Sequence, residues 1–391
     1  MRRLVTLISA VMMLDTVAYA AVIPLLPHYR EELGLSPFGA GVLLAAYSAA
    51  VLLFAVPSGR LSDSLGPKRM TVAGAASLVV GLALMAVSHS FALLLVARLL
   101  QGGADAVAWS AGIAWVSSAS PAEKRGGRIG LVQAAASIGF IAGPAIGAIA
   151  VSGVGITPTF LALSGLAAVL LMLVLATPAP RQPVEGGARP AIVPVLAACV
   201  RQPLIAASMI VIFVAAIVGG ALQLLVTLQL ADGGMSGSRI GVVYTVGAVL
   251  ASAVAVASGR GGDRFGRVPL AVGGTAVLGT MVATLALPVS VPWFVALVII
   301  VFGLEAVLYA VAYPLSVDGA DRSLIGHGVV LGIVNLAWGI GAVIGPLAGS
   351  GLSDIAGSDG AYVLLAVFSL GACLFVRART GNRRLTARLG G

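Results

Sequence analysis

The sequence predicts an all-α membrane protein: twelve transmembrane helices in two pseudo-symmetric six-helix bundles. Three observations carry that expectation. The 391 residues are 59% hydrophobic and only 9% charged, with a mean hydropathy of +1.08, too apolar for a chain that must cover itself with polar atoms in water. Apolar runs of roughly 20 residues, each able to cross a hydrocarbon core of about 30 Å as a helix, recur along nearly the whole length. Two glycine-bearing patterns also appear twice, at offsets of 200 and 202.

Polar interruptions divide the apolar runs into spans 4–27, 37–58, 70–88, 91–114, 129–150 and 159–178, then 204–230, 238–258, 268–287, 292–315, 329–351 and 360–377. The first contains Ala18-Tyr19-Ala20, which has the form of a signal-peptide cleavage site. The run is long and carries Asp15, so it is read as a mature helix. The stretch 179–203 is rich in helix breakers, with Pro180, Pro183, Gly186, Gly187, Pro190 and Pro194. It is the expected cytoplasmic linker between an amino-terminal bundle, 1–178, and a carboxy-terminal bundle with its tail, 204–391.

A net charge of +9 and a pI near 10.2 raise the question of nucleic-acid binding, and the placement of the basic residues answers it. With the amino terminus inside, 20 Lys and Arg residues fall in the tails and inward-facing loops, from Arg2 and Arg3 through Arg60, Lys124, Arg125 and Arg128 to Arg388. Only Arg30 and Arg239 fall on the other side, with Arg98 inside a span. That asymmetry fits a bilayer with both termini cytoplasmic, in the plasma membrane, and no nucleic-acid partner. Cys199 and Cys373 are too few for a disulfide framework, and His28, His89 and His327 lack metal-ligand spacing, so they are read as solvated loop residues. No metal and no cofactor is expected, and oligomeric state is left open.

The first duplicated pattern follows span 2. It reads Gly59-Arg60-Leu61-Ser62-Asp63-Ser64-Leu65-Gly66-Pro67-Lys68-Arg69 and returns after span 8 as Gly259-Arg260-Gly261-Gly262-Asp263-Arg264-Phe265-Gly266-Arg267. As a loop, its glycines permit tight turns, its Asp can counter a helix amino terminus, and its basic residues hold the cytoplasmic surface. A single Gly- and Arg-rich loop would be commonplace; two at matched positions mark a duplication. The second pattern is Gly139-x3-Gly143-Pro144-x2-Gly147 in span 5, repeated as Gly341-x3-Gly345-Pro346-x2-Gly349 in span 11. Such segments let helix backbones approach closely and admit local bending.

With these motifs the chain resembles the major facilitator superfamily over its whole length. Arg98-x2-Gln101-Gly102 is similar to that family's helix 4 motif. Gly130-x8-Gly139-x3-Gly143-Pro144-x2-Gly147 is similar to the helix 5 signature of its drug:proton antiporters, with Ala148 where that signature ends in a second Gly. The second loop departs from the first, having Val268 and Pro269 where Lys68 and Arg69 stand. The stretch from Asn335 to Gly349 is similar to helix 11 of vesicular amine transporters, in which an acid stands at the Asn335 position. The resemblance implies two six-helix halves, transport by alternating access, and a cavity lined by helices 1, 4, 7 and 10.

Asp15, Arg98, Asp105 and Glu305 are the charged side chains well inside predicted spans. Each costs roughly 2.5 kcal/mol or more in hydrocarbon, so each is expected to face a cavity or a partner and to serve proton coupling. Arg98, Gln101 and Asp105 share one face of span 4 at i, i+3 and i+7, continued by Trp109. That stripe is read as a cavity wall in which Arg98 tunes a carboxylate, against the alternative of a structural ion pair. Asp15, flanked by Thr16 and followed one turn on by Tyr19, is the first choice for coupling, because a carboxylate with alternating water access can take up and release a proton. The competing role is a hydrogen-bonded residue that fixes helix register.

Glu305, Tyr309 and Tyr313 share a face of span 10, and Gln223 and Thr227 one of span 7. Tyr19, Gln101, Trp109, Gln223, Thr227, Tyr309 and Asn335 are the substrate-binding candidates, the tyrosine pair ranking below Glu305 because such pairs more often pack than bind. The expected activity is proton-coupled export of a small lipophilic or cationic molecule, as in multidrug efflux by antiport. Its partners would be that substrate, protons and the lipid bilayer. Proton-linked uptake by the same fold stays open. A membrane enzyme or ATP-driven pump is disfavoured, since neither Lys68 nor Lys124 follows a Gly as a phosphate-binding loop requires. The two-half organisation disfavours a channel.

Overall fold

The protein is described here by a computed structural model covering residues 2–178, 192–323 and 325–381. Every regular element among them is helical. The first six spanning helices are α1 (Arg2–Leu33, interrupted by one 3-10 turn at Ile23–Leu25), α2 (Pro37–Leu65), α3 (Pro67–Val87), α4 (Phe91–Ser118), α5 (Glu123–Val154) and α6 (Ile156–Ala176). Then follow α7 (Pro203–Asp232), α8 (Gly237–Phe265), α9 (Arg267–Thr284) and α10 (Val291–Asp321). The segment His327–Gly381 bends at Gly357, φ +72°, into α11 (327–356) and α12 (358–381). The twelve helices of the expected all-α fold are therefore present, and each expected span lies within one of them to within a few residues.

Local sequence sets the helix ends. Ser36 caps α2, its hydroxyl accepting from Gly39 N at 3.1 Å with Pro37 in the first turn. Ser90 caps α4 by accepting from Leu93 N at 3.4 Å. The stretch 59–69, expected as a loop, is helical through Leu65. The chain turns only at Gly66, and in the second copy only at Gly266, with φ +88° and +92°. That conformation favours glycine, and it lets a helix overrun the membrane surface before reversing. Gly59 and Gly259 therefore stand inside helices, where a Cβ would meet nothing within 4 Å.

Two compact units emerge, one of Met1–Gly187 with Leu230–Thr245, the other of Ala188–Gln229 with Val246–Gly391. The α7–α8 turn joins the first unit because glycines let it settle there. A Cβ on Gly241 would stand 2.6 Å from the Pro144 carbonyl, and one on Gly237 2.8 Å from that of Pro24. Of the expected linker, 179–191 lies outside the described residues, and Ile192–Arg201 is a short helix. Large apolar side chains such as Leu53, Leu166, Met172, Trp293, Val367 and Leu374 are exposed, as a lipid-facing surface requires.

Candidate functional site

In the first unit, glycine decides which helices touch. A Cβ at Gly139 would collide with Thr16 Oγ1 and the Met13 carbonyl; at Gly143 it would stand 2.6 Å from Ala20 Cβ; at Gly147 it would meet the Ala21 carbonyl. The α5 motif is thus the seat of α1 behind Asp15, and Thr16 Oγ1 completes it by donating to Ala136 O at 2.9 Å. Gly102 of α4 likewise abuts the Tyr47 carbonyl of α2. That contact brings Tyr47 over the polar stripe of α4.

The stripe and α1 meet in one buried cluster. Tyr47 Oη donates to Asp15 Oδ2 at 3.1 Å, and the Asp105 carboxyl interacts with those of Asp15 and with Tyr47 and Trp109. Arg98 Nη1 donates to Gln101 Oε1 at 3.0 Å. The Arg98 guanidinium carbon lies 4.7 Å from the Tyr47 ring centre and 5.5 Å from that of Tyr19. Tyr19 in turn packs on Tyr47 at 4.7 Å and edge-on to Phe140 at 5.6 Å. Just beyond Asp105, α4 opens into a π-helical turn, Ala108–Gly112, a distortion that often marks functional sites. It carries Trp109, the most exposed member of the stripe at 37%.

Asp15, Arg98, Gln101 and Asp105 are all buried. Yet among the described residues Arg98 has no carboxylate within ion-pair distance, and its Nε and Nη2, with Gln101 Nε2 and Asp15 Oδ1, have no hydrogen-bond partner. The structure therefore does not show the structural ion pair that was the alternative reading of Arg98. Its charge reaches Asp15 only through space, and the adjoining Tyr47 and Tyr19 rings lie together beside the guanidinium. Stacking on desolvated rings stabilises such a cation by about 2 kcal/mol, while each buried unpaired donor costs about 1–3 kcal/mol. A bound molecule or water that satisfied those donors would complete the cluster.

In the second unit Glu305 projects from α10 against α7, where a Cβ on Gly219 would overlap its carboxyl. Tyr309, one turn on, bonds to it. Gln223 and Thr227 follow Gly219 on the same face of α7, and the Thr227 hydroxyl donates to Gln223 O at 2.6 Å. Tyr313 Oη donates to Asn335 Oδ1 at 2.8 Å and so joins α10 to α11. Glycine again sets the packing: a Cβ at Gly341, Gly345 or Gly349 would lie 2.8, 2.5 or 2.9 Å from Ala216 Cβ, the Ile217 carbonyl or Ala221 Cβ of α7. Pro346 Cδ would be 2.8 Å from a Cβ on Gly220.

The duplicated turns staple helices within each unit. Lys68 Nζ donates to Leu175 O at 2.8 Å, at the end of α6 where free carbonyls concentrate negative charge. Arg69 beside it is exposed. Arg267 binds Asp263 Oδ1 at 3.1 Å, Asp318 Oδ1 at 2.5 Å and the Pro314 carbonyl at 3.1 Å. Sequence reasoning missed Asp318, Tyr47 and Gly219. A lone hydroxyl-bearing ring within the apolar run 37–58, and the Gly219-Gly220 pair inside span 7, were the available signals.

Comparison with known proteins agrees with this architecture. Residues 8–329 and 234–389 match the model of the Major Facilitator Superfamily. The MFS-type transporter ppzB of Metarhizium rileyi (strain RCEF 4871) is 33% identical over 178 residues, 44% of this chain and 36% of that protein. The quinolone resistance protein NorA of Staphylococcus aureus (strain MRSA252) is 31% identical over 126 residues, 32% of each. The chain thus spans about a third of the length of the curated relatives it matches. Two solved structures share its fold: a bacterial homologue of the human lysosomal transporter Spinster, with TM-score 0.79 and 14% identity over 96% of each chain, and the nucleoside transporter NupG, with TM-score 0.76 and 11% identity over 96% of this chain and 98% of that one. Helices, duplicated motifs and family match converge, and the chain belongs to the Major Facilitator Superfamily, a family of membrane transporters and not of enzymes.

Proposed function

We propose that this transporter is proton-coupled and exports a small lipophilic or cationic molecule from the cytoplasm across the plasma membrane, with both termini cytoplasmic. One observation carries the reading: the buried Asp15–Asp105 pair, held by Tyr47 and lacking a direct ion pair to Arg98. Two acids beside one cation leave room for a proton or a positively charged substrate. Arg98, Gln101, Tyr19 and Trp109 serve substrate and coupling in the first unit, and Glu305, Gln223, Thr227, Tyr309 and Asn335 serve them in the second. Lys68, Arg69, Asp63 and Asp263, with the turns at Gly66 and Gly266, serve as cytoplasmic latches during alternating access. Similarity to a protein named for quinolone resistance supports export of drug-like molecules.

The test uses purified protein in proteoliposomes under an imposed pH gradient, screened against lipophilic cations. Proton counterflow on substrate addition is the expected result, and Asp15→Asn abolishes gradient-driven transport while leaving folding intact. Co-flow of protons and substrate replaces export with proton-linked uptake. Unchanged transport in Asp15→Asn removes Asp15 from coupling.

A further inference from the structure

Tyr47 is not the only residue of α2 that reaches the polar stripe of α4. Tyr47, Ala50, Phe54 and Ser58 recur at i, i+3, i+7 and i+11 and so share one face of α2. That face follows α4 in order. A Cβ on Gly102 would meet the Tyr47 carbonyl and Ala50 Cβ, and one on Gly103 would meet the Phe54 ring. Ser58 ends the row at the π-helical turn, Ala108–Gly112. Pro57, just before it inside α2, brings no backbone donor, so both helices are irregular at this level.

Hydroxyls join the two helices there. Ser110 Oγ lies 2.7 Å from the Ala106 carbonyl. Ser58, 2% exposed, has its Oγ 2.9 Å from Ser110 Oγ and 3.2 Å from the same carbonyl, and its contact inside its own helix, Ala55 O, is 3.1 Å. Each hydroxyl has one proton, and the shortest contacts form a chain in which Ser58 donates to Ser110 Oγ and Ser110 to Ala106 O. A π-helical turn sets an i to i+5 spacing against the i to i+4 spacing around it, so carbonyls at its entry need other donors. Ala106 directly follows Asp105, and Ser110 directly follows Trp109. The chain therefore fixes the backbone beside both, while the same face of α2 holds Asp15 through Tyr47 at 3.1 Å.

We propose that Ser58 and Ser110 are positioning residues of the transporter: their hydroxyls hold the π-helical turn of α4, so that Asp105 and Trp109 are presented together with the Asp15 carboxyl that Tyr47 holds. The inference rests on the reading that Asp105 and Trp109 serve coupling and substrate. If the turn relaxed to a regular α-helix, the residues on one side of it would rotate by about 100° and shift by about 1.5 Å relative to those on the other. Trp109, now 37% exposed, would change surroundings, and contact with substrate would be the first loss.

The test compares Ser58→Ala, Ser110→Ala and the double variant with Ser164→Ala, which removes a hydroxyl bond of the same kind, 2.9 Å to the Val79 carbonyl between α6 and α3. A merely structural role predicts a lower unfolding midpoint in every variant and nothing else. The positioning role predicts more for the Ser58 and Ser110 variants. In proteoliposomes under a pH gradient, KM for tetraphenylphosphonium rises about fivefold, the worth of one ordinary hydrogen bond, with kcat less affected. In detergent, the Trp109 emission, taken as the difference between each protein and its Trp109→Phe counterpart, moves from the parent's wavelength. Ser164→Ala keeps both at parental values. Each single variant retains the other serine at the turn, so it folds even where the double variant does not. If Trp109→Phe and Asp105→Asn impair transport while the serine variants keep the parent's KM and Trp109 emission, the positioning role alone is overturned. If Trp109→Phe and Asp105→Asn transport no differently from the parent, the reading of the site fails and the positioning role falls with it.

Discussion

Gly102 and Gly103 are adjacent in sequence and opposite in consequence. A methyl group on Gly102 would run into the Tyr47 carbonyl, with Ala50 Cβ at 2.9 Å; one on Gly103 would touch only the Phe54 ring, at 3.6 Å. Carbon contacts relax near 3.5–4.0 Å, and a backbone carbonyl cannot swing aside as a side-chain tip can. In Gly102→Ala, α2 must therefore retreat from α4 by about 1 Å. The Tyr47–Asp15 bond, now 3.1 Å, would then exceed hydrogen-bonding distance. Overpacking costs about 1–3 kcal/mol, and loss of the hydrogen bond a further 0.5–1.5 kcal/mol or so. Gly103→Ala instead gains roughly 0.5–1 kcal/mol from helix propensity. Thermal unfolding in detergent and gradient-driven transport in proteoliposomes check both effects: Gly102→Ala is destabilised and loses at least about tenfold in transport, while Gly103→Ala matches or exceeds the parent in stability. Equal behaviour of the two variants would refute the claim that this glycine positions Tyr47.

Two further variants separate function from fold in the second unit. Gly219→Ala displaces only the flexible end of Glu305, so stability changes by less than about 1 kcal/mol while transport falls; Gly273→Ala, with nothing within 4 Å, leaves transport unchanged and gains roughly 0.5–1 kcal/mol from helix propensity, and an active Gly219→Ala would argue that the Glu305 position is immaterial. Arg267→Ala removes the cation shared by Asp263 and Asp318. Because these groups are partly exposed, the cost is about 1 kcal/mol at low salt and shrinks as salt rises, measured as the shift in unfolding midpoint; no salt dependence would mean the pairs contribute nothing.

The fold was legible because hydrocarbon imposes one rule, internal satisfaction of every backbone group, and helices of fixed length obey it. The charged candidates were legible for the same reason, since Asp15, Arg98, Asp105 and Glu305 stand out against apolar spans. What they touch was not. Periodicity places Arg98, Gln101 and Asp105 on one face of α4, but only tertiary packing decides that Tyr47, from a helix with one phenol in an apolar run, covers that face. The turn motif shows the converse: its repetition was correctly seen, while a helix continuing to Leu65 left only Gly66 to make the turn.

The α5 and α11 motifs explain how a duplicated backbone carries unequal chemistry. In the first unit Gly139, Gly143 and Gly147 seat α5 on α1 over Thr16 to Ala21, directly behind Asp15 and Tyr19; in the second Gly341, Gly345 and Gly349 seat α11 on α7 over Phe213 to Ala221, around Gly219. Both pairings need small residues for the same reason, close approach of two backbones in a solvent that gives no hydrophobic drive between helices. The motif thus fixes where a face can be presented, and the residues of the seated helix decide what is presented. On α1 that residue is a carboxylate. On α7 it is a glycine that admits the Glu305 carboxylate from α10. A signature that acts by packing constrains geometry equally for import and export, so the direction of transport must be encoded in the charged and aromatic residues that the glycines hold in place.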